Sequence, residues 1–592
     1  MKRFCCFILI GFFIFASGVD SFAAKTLYDD FTKAQIDSDK WDRCELVRKV
    51  ANNKLVSIAA TSSSINSRYQ RNNTIFRDSS TINTIEVDVS VISIARVTRS
   101  FARIDGRFYN TLNSGTEKGD IWAGLFWGDR GNGIEVWWQV TESLNDDGTD
   151  WEEKSSGSIN IGGLAYGQSN TFKIEYYDDN KFTFTVEGES VSFTGPTRQG
   201  PEKISYKGLE TIVEAYEDTG NGFVSASFDN VYINNQATVY DDFSIAPLEE
   251  ANWLSLEVVR ELENGKLQLS THSNGAKENT RINFSKPYNY TEGTVTIKSE
   301  STISTNAKGR TRISGEFFND TYGPGKYNGY EGDIYAQIYI DHYDDGTLEA
   351  NCYVEKATNA DWSTYQELYF HSFSIPIDFD KPYKLSIHFR GTSFVFKVID
   401  ISTSTEESYE YQVTSDVNLA SHPNVEIISR VYGNDSSGYM SVEWDDIYVD
   451  TEVAPATYDA TGEWNITTSN EWADGTCSIP VNSPSTGNIT QNSNDVTLVV
   501  GGNETLIGYV FSNKYYLTQT LIDPDDIEVF YVRLNLSSAT AGSGSVVIED
   551  IEGNDVCYKG FDIVFTKTAD VPADVPASGG GGGGCFISTM LK

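Results

Sequence analysis

Apolar and polar residues alternate along two stretches of this chain. The first comprises Arg103-Ile-Asp-Gly-Arg-Phe-Tyr-Asn110 and Gly119-Asp-Ile-Trp-Ala-Gly-Leu-Phe-Trp127. The second comprises Arg312-Ile-Ser-Gly-Glu-Phe-Phe-Asn319 and Gly332-Asp-Ile-Tyr-Ala-Gln-Ile-Tyr-Ile340. A period of two predicts half-buried strands. Turn dipeptides separate many further short runs of this kind: Asn132-Gly133, Asp147-Gly148, Asn221-Gly222 and Asp345-Gly346. Helical periodicity of any length is absent. The pattern predicts an all-β chain of antiparallel two-sheet sandwiches or barrels.

The two stretches belong to a longer duplication. Tyr28-Asp-Asp-Phe31, Trp41, Val47-Arg48 and Asn53-Lys-Leu55 recur 212 residues later as Tyr240-Asp-Asp-Phe243, Trp253, Val259-Arg260 and Gly265-Lys-Leu267. The copies close alike, with Phe228-Asp-Asn-Val-Tyr-Ile233 and Trp444-Asp-Asp-Ile-Tyr-Val449. A spacing held over this length is the mark of a repeated structural unit. The repeat predicts two tandem sandwich domains, 24–236 and 237–453, in which the first and last strands of a copy pair. A third unit, 454–568, opens Tyr458-Asp-Ala-Thr-Gly-Glu-Trp464 and closes Gly560-Phe-Asp-Ile-Val-Phe-Thr566, which predicts a smaller β-barrel or sandwich. Residues 569–592 read as an acidic linker, a hexaglycine run and a cysteine tail.

Composition narrows the function classes. Tyr numbers 33 and Phe 32, and aromatics make up 13% of the chain, which favours pleated surfaces. A net charge of −39 excludes a broad phosphate-neutralising face and argues against nucleic acid. Met1-Lys-Arg3, the apolar run Phe4 to Ala16 and Ser21-Phe22-Ala23 read as a signal peptide, residues 1–23, cleaved before Ala24. No later segment has the length of a membrane-spanning helix. Export to an oxidising compartment allows Cys477 and Cys557, both in the third unit, to form a disulfide. Cys44 and Cys352 have no counterpart in the other copy and read as small buried hydrophobes.

The opening Asp-Asp-Phe…Trp…Lys-Leu and the closing Phe-Asp-Asn-Val-Tyr-Ile resemble the concanavalin A-like lectin/glucanase jelly rolls, a group that includes laminin G-like modules, sugar-binding modules and β-glucanases. The resemblance spans both copies and implies the fold rather than an activity. The third unit resembles a small lipocalin-like β-domain. Gly579 to Gly584 followed by Cys585-Phe-Ile resembles the CFI-box tail of exported proteins from certain Gram-negative bacteria, but stops early. The tail implies an extracellular or surface location and makes Cys585 a candidate for modification.

Three constellations carry candidate chemistry. Glu86 and Asp88 fall on one face of a strand, as in the Glu-x-Asp-x-x-Glu array of retaining glucanases, but Val91 stands where the third acid belongs. The expectation is therefore not an enzyme. The outer faces of the opening strands offer a second set. In the first copy it is Arg103, Arg107, Trp122, Glu135 and Trp137, and in the second Arg312, Tyr335, Tyr339 and Tyr353. Rings among Arg, Glu and Gln suit a saccharide, because apolar sugar faces stack while hydroxyls take polar partners. The strand containing Glu135, Trp137 and Gln139 is matched with Asn351, Tyr353 and Glu355. The competing expectation is that the rings pack against a loop or the other copy. Third, Asp30 with Asp229, and Asp242 with Asp445, supply oxygen ligands for calcium if the terminal strands of each copy meet. The alternative for these aspartates is turn capping. Together these features predict an exported, non-enzymatic surface protein that recognises a glycan or glycoprotein or acts in adhesion. A scaffold without a small ligand is the alternative, and a divergent glycoside hydrolase a third.

Overall fold

The computed structural model describes residues 25–569 apart from 62–68, 96–98, 113–114, 131–132, 178, 200–205, 215–221, 276, 322–328, 391–392, 414–417, 434–435, 451–456, 474–484, 493–494, 502–503, 512–513, 524–525 and 553–554. The expected signal peptide, Cys477 and the tail with Cys585 lie outside the described residues, as does the side chain of Cys557.

The chain is all-β, as the alternation requires. Each copy folds as a two-layer antiparallel sandwich. One layer of the first copy has six strands, ordered Tyr69–Ile75, Lys207–Glu214, Arg99–Asn110, Asp120–Asp129, Ile134–Ser143 and Trp151–Ile159. The second copy repeats that order with Glu278–Asn283, Asn418–Gly433, Ala307–Asn319, Asp333–Tyr343, Leu348–Ala357 and Tyr365–Ser372. The other layers of both copies merge into one sheet of 16 strands. The alternation is explained by burial: Ile121, Ala123, Leu125 and Trp127 enter the first core, and Ile334, Ala336, Ile338 and Ile340 the second. Cys44 and Cys352 are buried. The third unit is a closed barrel whose strands, from Gly462–Ala473 to Asp555–Ala569, follow one another in chain order around an apolar core that includes Trp464, Leu498, Phe530 and Phe565.

The copies meet through a symmetric strand pair. Leu46–Ala51 runs antiparallel to Val258–Glu263, with Val47 opposite Val259 and Arg48 opposite Val258. Since Val47 and Val259 are equivalent in the repeat, this pair marks a pseudo-twofold axis. Arg48 Nε donates to Leu256 O at 2.5 Å, and Arg260 Nε donates to Cys44 O at 2.6 Å, the same bond made twice across the axis.

The opening segments cross that axis. Lys25–Asp29 does not pair with the closing strand of its own copy; it pairs with Ser437–Asp450, the closing strand of the second, from Lys25 opposite Asp450 to Asp29 opposite Ile447. Phe31, Ile36 and Trp41 lie in the second core, while Phe243, Leu248 and Trp253 lie in the first. The expected pairing of terminal strands within a copy, and with it the boundary at 236/237, is corrected accordingly: residues 25–45 complete the second sandwich, and residues 240–257 complete the first.

The reason is chain length. Few residues separate Ile233 from Tyr240, and Asn234 and Asn235 adopt left-handed φ of 53° and 54°, which turns the chain back on the sheet it has just left. Val231 then bridges Asp241, and the second opening segment fills the first copy's slot. The slot of the second copy is filled by the first opening segment.

The repeated Asp-Asp-Phe…Trp motif builds the plug. Asp29 Oδ1 accepts the Phe31 N–H at 2.9 Å and Oδ2 accepts the Trp41 indole N–H at 2.8 Å. Asp241 does the same for Phe243 at 2.7 Å and Trp253 at 2.6 Å. Phe31 and Phe243 both sit at φ 51°, a strained conformation for a bulky residue that the aspartate bond supports. Trp41 packs on Phe284 with ring centroids 4.6 Å apart, and Trp253 on Phe76 at 4.7 Å.

Trp41 is fully buried, so Trp41→Ala should cost about 3–5 kcal/mol. The cost is expected in the second sandwich although Trp41 belongs to the first repeat. Amide hydrogen exchange should show lost protection in Lys266–Asn274 and Ser437–Asp450, with Thr84–Ala95 unchanged, and Trp253→Ala should give the opposite map. Lost protection in the first sandwich on Trp41→Ala would contradict the crossed closure.

Candidate functional site

The six-stranded layer of each sandwich has an outer face, and strand register fixes what that face presents. In the second copy four rows of residues cross the strands. One row is Asn424, Glu316, Tyr335, Glu355 and Glu367. Next to it run Glu426, Ser314, Gln337, Tyr353 and Phe370. The third is Ile428, Arg312, Tyr339, Asn351 and Ser372, and the fourth Arg430, Arg310, Asp341 and Glu349. Three glutamates gather at one end and rings in the middle, while at the other end Arg430 and Arg310 share a row with Asp341 and Glu349.

These rows floor an open groove of about 710 Å³. All four second-copy residues expected from the sequence, Arg312, Tyr335, Tyr339 and Tyr353, line it. Tyr365 and Phe370, 59% and 49% exposed, form its outer lip on the edge strand. Trp362 stands at the rim in left-handed backbone, φ 57°, with its ring edge-on to Tyr335 at 5.8 Å.

The floor is held by ion pairs. Arg310 engages Asp341 through two nitrogens, at 2.6 and 3.0 Å, and lies flat on Tyr339 with its guanidinium 3.5 Å from the ring centre. Arg312 donates to Gln337 at 3.0 Å and to Glu426 at 3.1 Å. The cluster of cations around Glu426 holds its carboxyl below the usual range despite burial. At the acidic end the balance reverses. Burial first, then Asp333 and Glu426, push Glu316 well above the ordinary carboxylate range, and its Oε2 has no hydrogen-bond partner. Burial also raises Glu355. The Tyr335 hydroxyl is buried without a partner, and burial raises it to about 12.

The corresponding face of the first copy is closed. Register places Phe126 and Trp137 where the second copy has Tyr339 and Asn351, and Phe101 and Ile212 where it has Arg310 and Arg430. This corrects the expected alignment by two residues: Trp137 corresponds to Asn351, and Tyr353 to Gln139. Phe101, Phe126, Trp137 and Ile212 form a buried apolar cluster against which Trp122 packs. Phe126 and Trp137 stack at 4.8 Å with 8° between their planes, and Trp137 is 2% exposed. Gly128 replaces Asp341, and the Ser100 carbonyl oxygen with the Cα and Cβ of Phe101 occupies the space a β-carbon there would need.

The remaining first-copy candidates hold this packing together. Arg103 lies over the Trp122 ring at 4.9 Å and pairs with Asp105 at 3.1 Å and Glu210 at 2.5 Å. Arg107 pairs with Glu117 at 2.6 Å, and Glu135 with Arg130 at 2.7 Å.

Asp105 accepts the Trp122 indole N–H at 2.9 Å through Oδ2, while its Oδ1 has no partner. Complete burial pushes its pKa up to about 7, against the pull of Arg103 and with the help of Glu210.

The other candidate sets are placed differently. Glu86 pairs with Lys173 at 3.4 Å, and Asp88 accepts from Thr171 at 2.7 Å and Asn230 at 3.0 Å, all on the 16-stranded sheet away from the groove. The four calcium candidates all cap backbone: Asp30 takes the Thr32 N–H, Asp242 the Ser244 N–H, Asp229 the Asn230 N–H and Asp445 the Asp446 N–H. Their grouping follows the crossed closure and corrects the expected one. Asp242 is near enough to Asp229, and Asp30 to Asp445, to add to the burial that raises the latter two. Among the described residues no three Asp, Glu, His or Cys side chains converge in a metal-binding group.

Arg310, Glu426 and Arg430 were missed by the sequence reading. The signal for Glu426 and Arg430 is the alternation Glu426, Ile428, Arg430, Tyr432 along Asn418–Gly433, a strand outside the motifs that mark the repeat, and Arg310 lies two residues before Arg312 on Ala307–Asn319.

No protein-family model matches the chain, and no curated protein matches it. Among solved structures it is similar to the CBM2 module of the Lactobacillus casei BL23 phage J-1 evolved Dit, with 12% identity over 32% of this chain and 79% of that one and a TM-score of 0.22. It is similar to the legume lectin-like domain from Entamoeba histolytica, with 13% identity, coverage of 31% and 84%, and a TM-score of 0.21. The LG1-3 region of the laminin alpha2 chain shares 9% identity over 86% of this chain and 93% of that one, with a TM-score of 0.18. The sandwich fold of this chain stands on the sheet order and cores described above.

Asp105 gives the first sandwich a pH dependence. An unfolded aspartate titrates near ~3.9, so between that pH and about 7 the unfolded chain is ionised while folded Asp105 keeps its proton. Its contribution to stability is full below the unfolded pKa and falls as pH rises through the folded one. Urea denaturation of wild type and Asp105→Asn from pH 4 to 8 should show the wild type losing stability relative to the variant across that window. A constant difference would refute the shift.

Proposed function

We propose that the protein is a non-enzymatic recognition module that binds a saccharide in the groove of the second sandwich, and that it works outside the cell or at its surface. The observation that carries this reading is the groove itself. Its volume lies in the range of small-molecule sites, roughly 300–1,000 Å³, and its rings stand beside polar groups whose geometry is already fixed. Tyr365 and Phe370 offer exposed faces for the apolar side of a sugar ring. Gln337, Arg312 and Tyr335 on the floor offer hydrogen bonds to hydroxyls. Ion pairing within the floor fixes these groups before a ligand arrives, which reduces the ordering cost of binding.

The first sandwich serves as scaffold in this reading. Its equivalent face is filled with stacked rings, and its strand Leu46–Ala51, in the 16-stranded sheet, supplies half of the strand pair with the second sandwich. Glu86 and Asp88 keep structural partners, and no hydrolytic role is assigned to them.

A glycan array probed with the mature chain should show binding to a restricted set of oligosaccharides. Tyr353→Ala should weaken that binding by about tenfold, the equivalent of ~1.4 kcal/mol for one lost ring contact, while Trp122→Ala should leave it intact. Silence across the array would favour the scaffold reading for the whole chain. Hydrolysis of β-glucans abolished by Glu86→Gln would overturn the non-enzymatic assignment.

A further inference from the structure

The two ends of the groove differ in charge, and the basic end holds cations with no ion-pair partner among the described residues. Arg310 and Arg312 are each tied to a carboxylate, Asp341 and Glu426 respectively. Arg430 is not. Its guanidinium rests on the Tyr432 ring at 4.7 Å, its Nε is buried without a hydrogen-bond partner, and among the described residues no carboxylate lies within ion-pair distance of it. Lys277 stands beside it, exposed at the start of Glu278–Asn283, the edge strand that pairs with Asn418–Gly433. It also lines the groove and likewise has no ion-pair partner among the described residues. Burial first, then Arg430 and Arg312, lower the pKa of Lys277, and burial first, then Arg312 and Arg310, lower that of Arg430 to about 10. In a chain of net charge −39, where acids outnumber bases 84 to 45, two bases left outside ion-pair contact run against composition.

We infer that the groove takes an acidic saccharide, with the anionic group of one sugar residue seated between Arg430 and Lys277. The ligand runs from there across Tyr339 and Gln337 toward Glu316 and Glu355. The guanidinium fork matches the paired oxygens of a carboxylate or a sulfate ester. An anion there offsets the repulsion that Arg312 and Arg310 exert on Arg430 and that Arg430 exerts on Lys277. At the other end Glu316, whose buried Oε2 has no hydrogen-bond partner, stands with Glu355 and Glu367 along the groove, where carboxyl oxygens suit neutral hydroxyls and disfavour a second anion. The polarity therefore sets direction as well as class: acid group at the Arg430 end, neutral sugar at the Glu316 end. The first copy lacks this site, because Ile212 and Phe101 stand at the positions of Arg430 and Arg310.

This inference rests on the saccharide reading above, and its test separates the two. Isothermal titration of the mature chain is performed with three sets of oligosaccharides matched in length: neutral, carboxylate-bearing oligouronates, and sulfated. Acidic ligands should bind at least tenfold more tightly than neutral ones. Arg430→Gln and, independently, the exposed Lys277→Gln should each remove most of that preference, read as the ratio of acidic to neutral affinity for the same variant. Whichever acidic set binds more tightly identifies the anion as carboxylate or sulfate. Neutral ligands binding as tightly as acidic ones, or an acidic preference untouched by both variants, would overturn the inference and leave the saccharide reading standing. Absence of binding by all three sets would overturn both.

Discussion

Two buried aspartate–tryptophan bonds, Asp29 to Trp41 and Asp241 to Trp253, hold the plugs on which both sandwiches depend. Each plug closes a core that would otherwise expose apolar surface at one end, and each is supplied by the repeat that does not own the core. The symmetric pairing of Leu46–Ala51 with Val258–Glu263 follows from this exchange, because each plug must leave its sandwich at the axis and enter the other copy there. The arrangement is that of an isologous, strand-swapped dimer contained within one chain. It makes the two sandwiches a single body: neither core is complete without residues of both repeats.

That rigid frame lets the outer faces diverge. The buried sides of the equivalent strands keep the same kind of residue, Ile-Ala-Leu-Trp in one copy and Ile-Ala-Ile-Ile in the other. The exposed sides share a backbone and a register but differ in physics. In the first copy the positions of two arginines and an aspartate are taken by Ile212, Phe101 and Gly128, and the space they leave is filled by rings stacked on one another. In the second copy charged groups hold one another apart by pairing with fixed partners, and a groove stays open. An apolar face collapses on itself because burial of rings is favourable. A charged face stays open because a paired guanidinium and carboxylate are better solvated than covered.

Much of the fold is legible in the sequence, and the candidate site is legible in part. Alternation names the strands. The 212-residue repeat announces two equivalent units, and the inward set Ile121, Ala123, Leu125 and Trp127 is correct residue by residue. Four groove residues, Arg312, Tyr335, Tyr339 and Tyr353, follow from the same alternation. The alignment of Trp137 with Tyr353 did not hold, because loop length between strands shifts register without disturbing a period of two. Arg430 and Lys277 were passed over, because neighbours across a sheet are set by strand order, which a linear pattern does not carry.

The sequence by itself determined which residues form strands, which side of each strand is buried, and that the same unit occurs twice, since these depend on local period and on the preference of apolar side chains for a core. Only the tertiary structure decided which opening segment fills which core, and which of two similar aromatic faces is open. Both outcomes turn on long-range geometry. A short turn after Ile233 forces the second opening segment back onto the first sandwich, leaving the other slot to residues more than 200 positions earlier in the chain. A ring at Trp137 is core or surface according to what stands one strand away, and only the paired sheet brings that neighbour beside it.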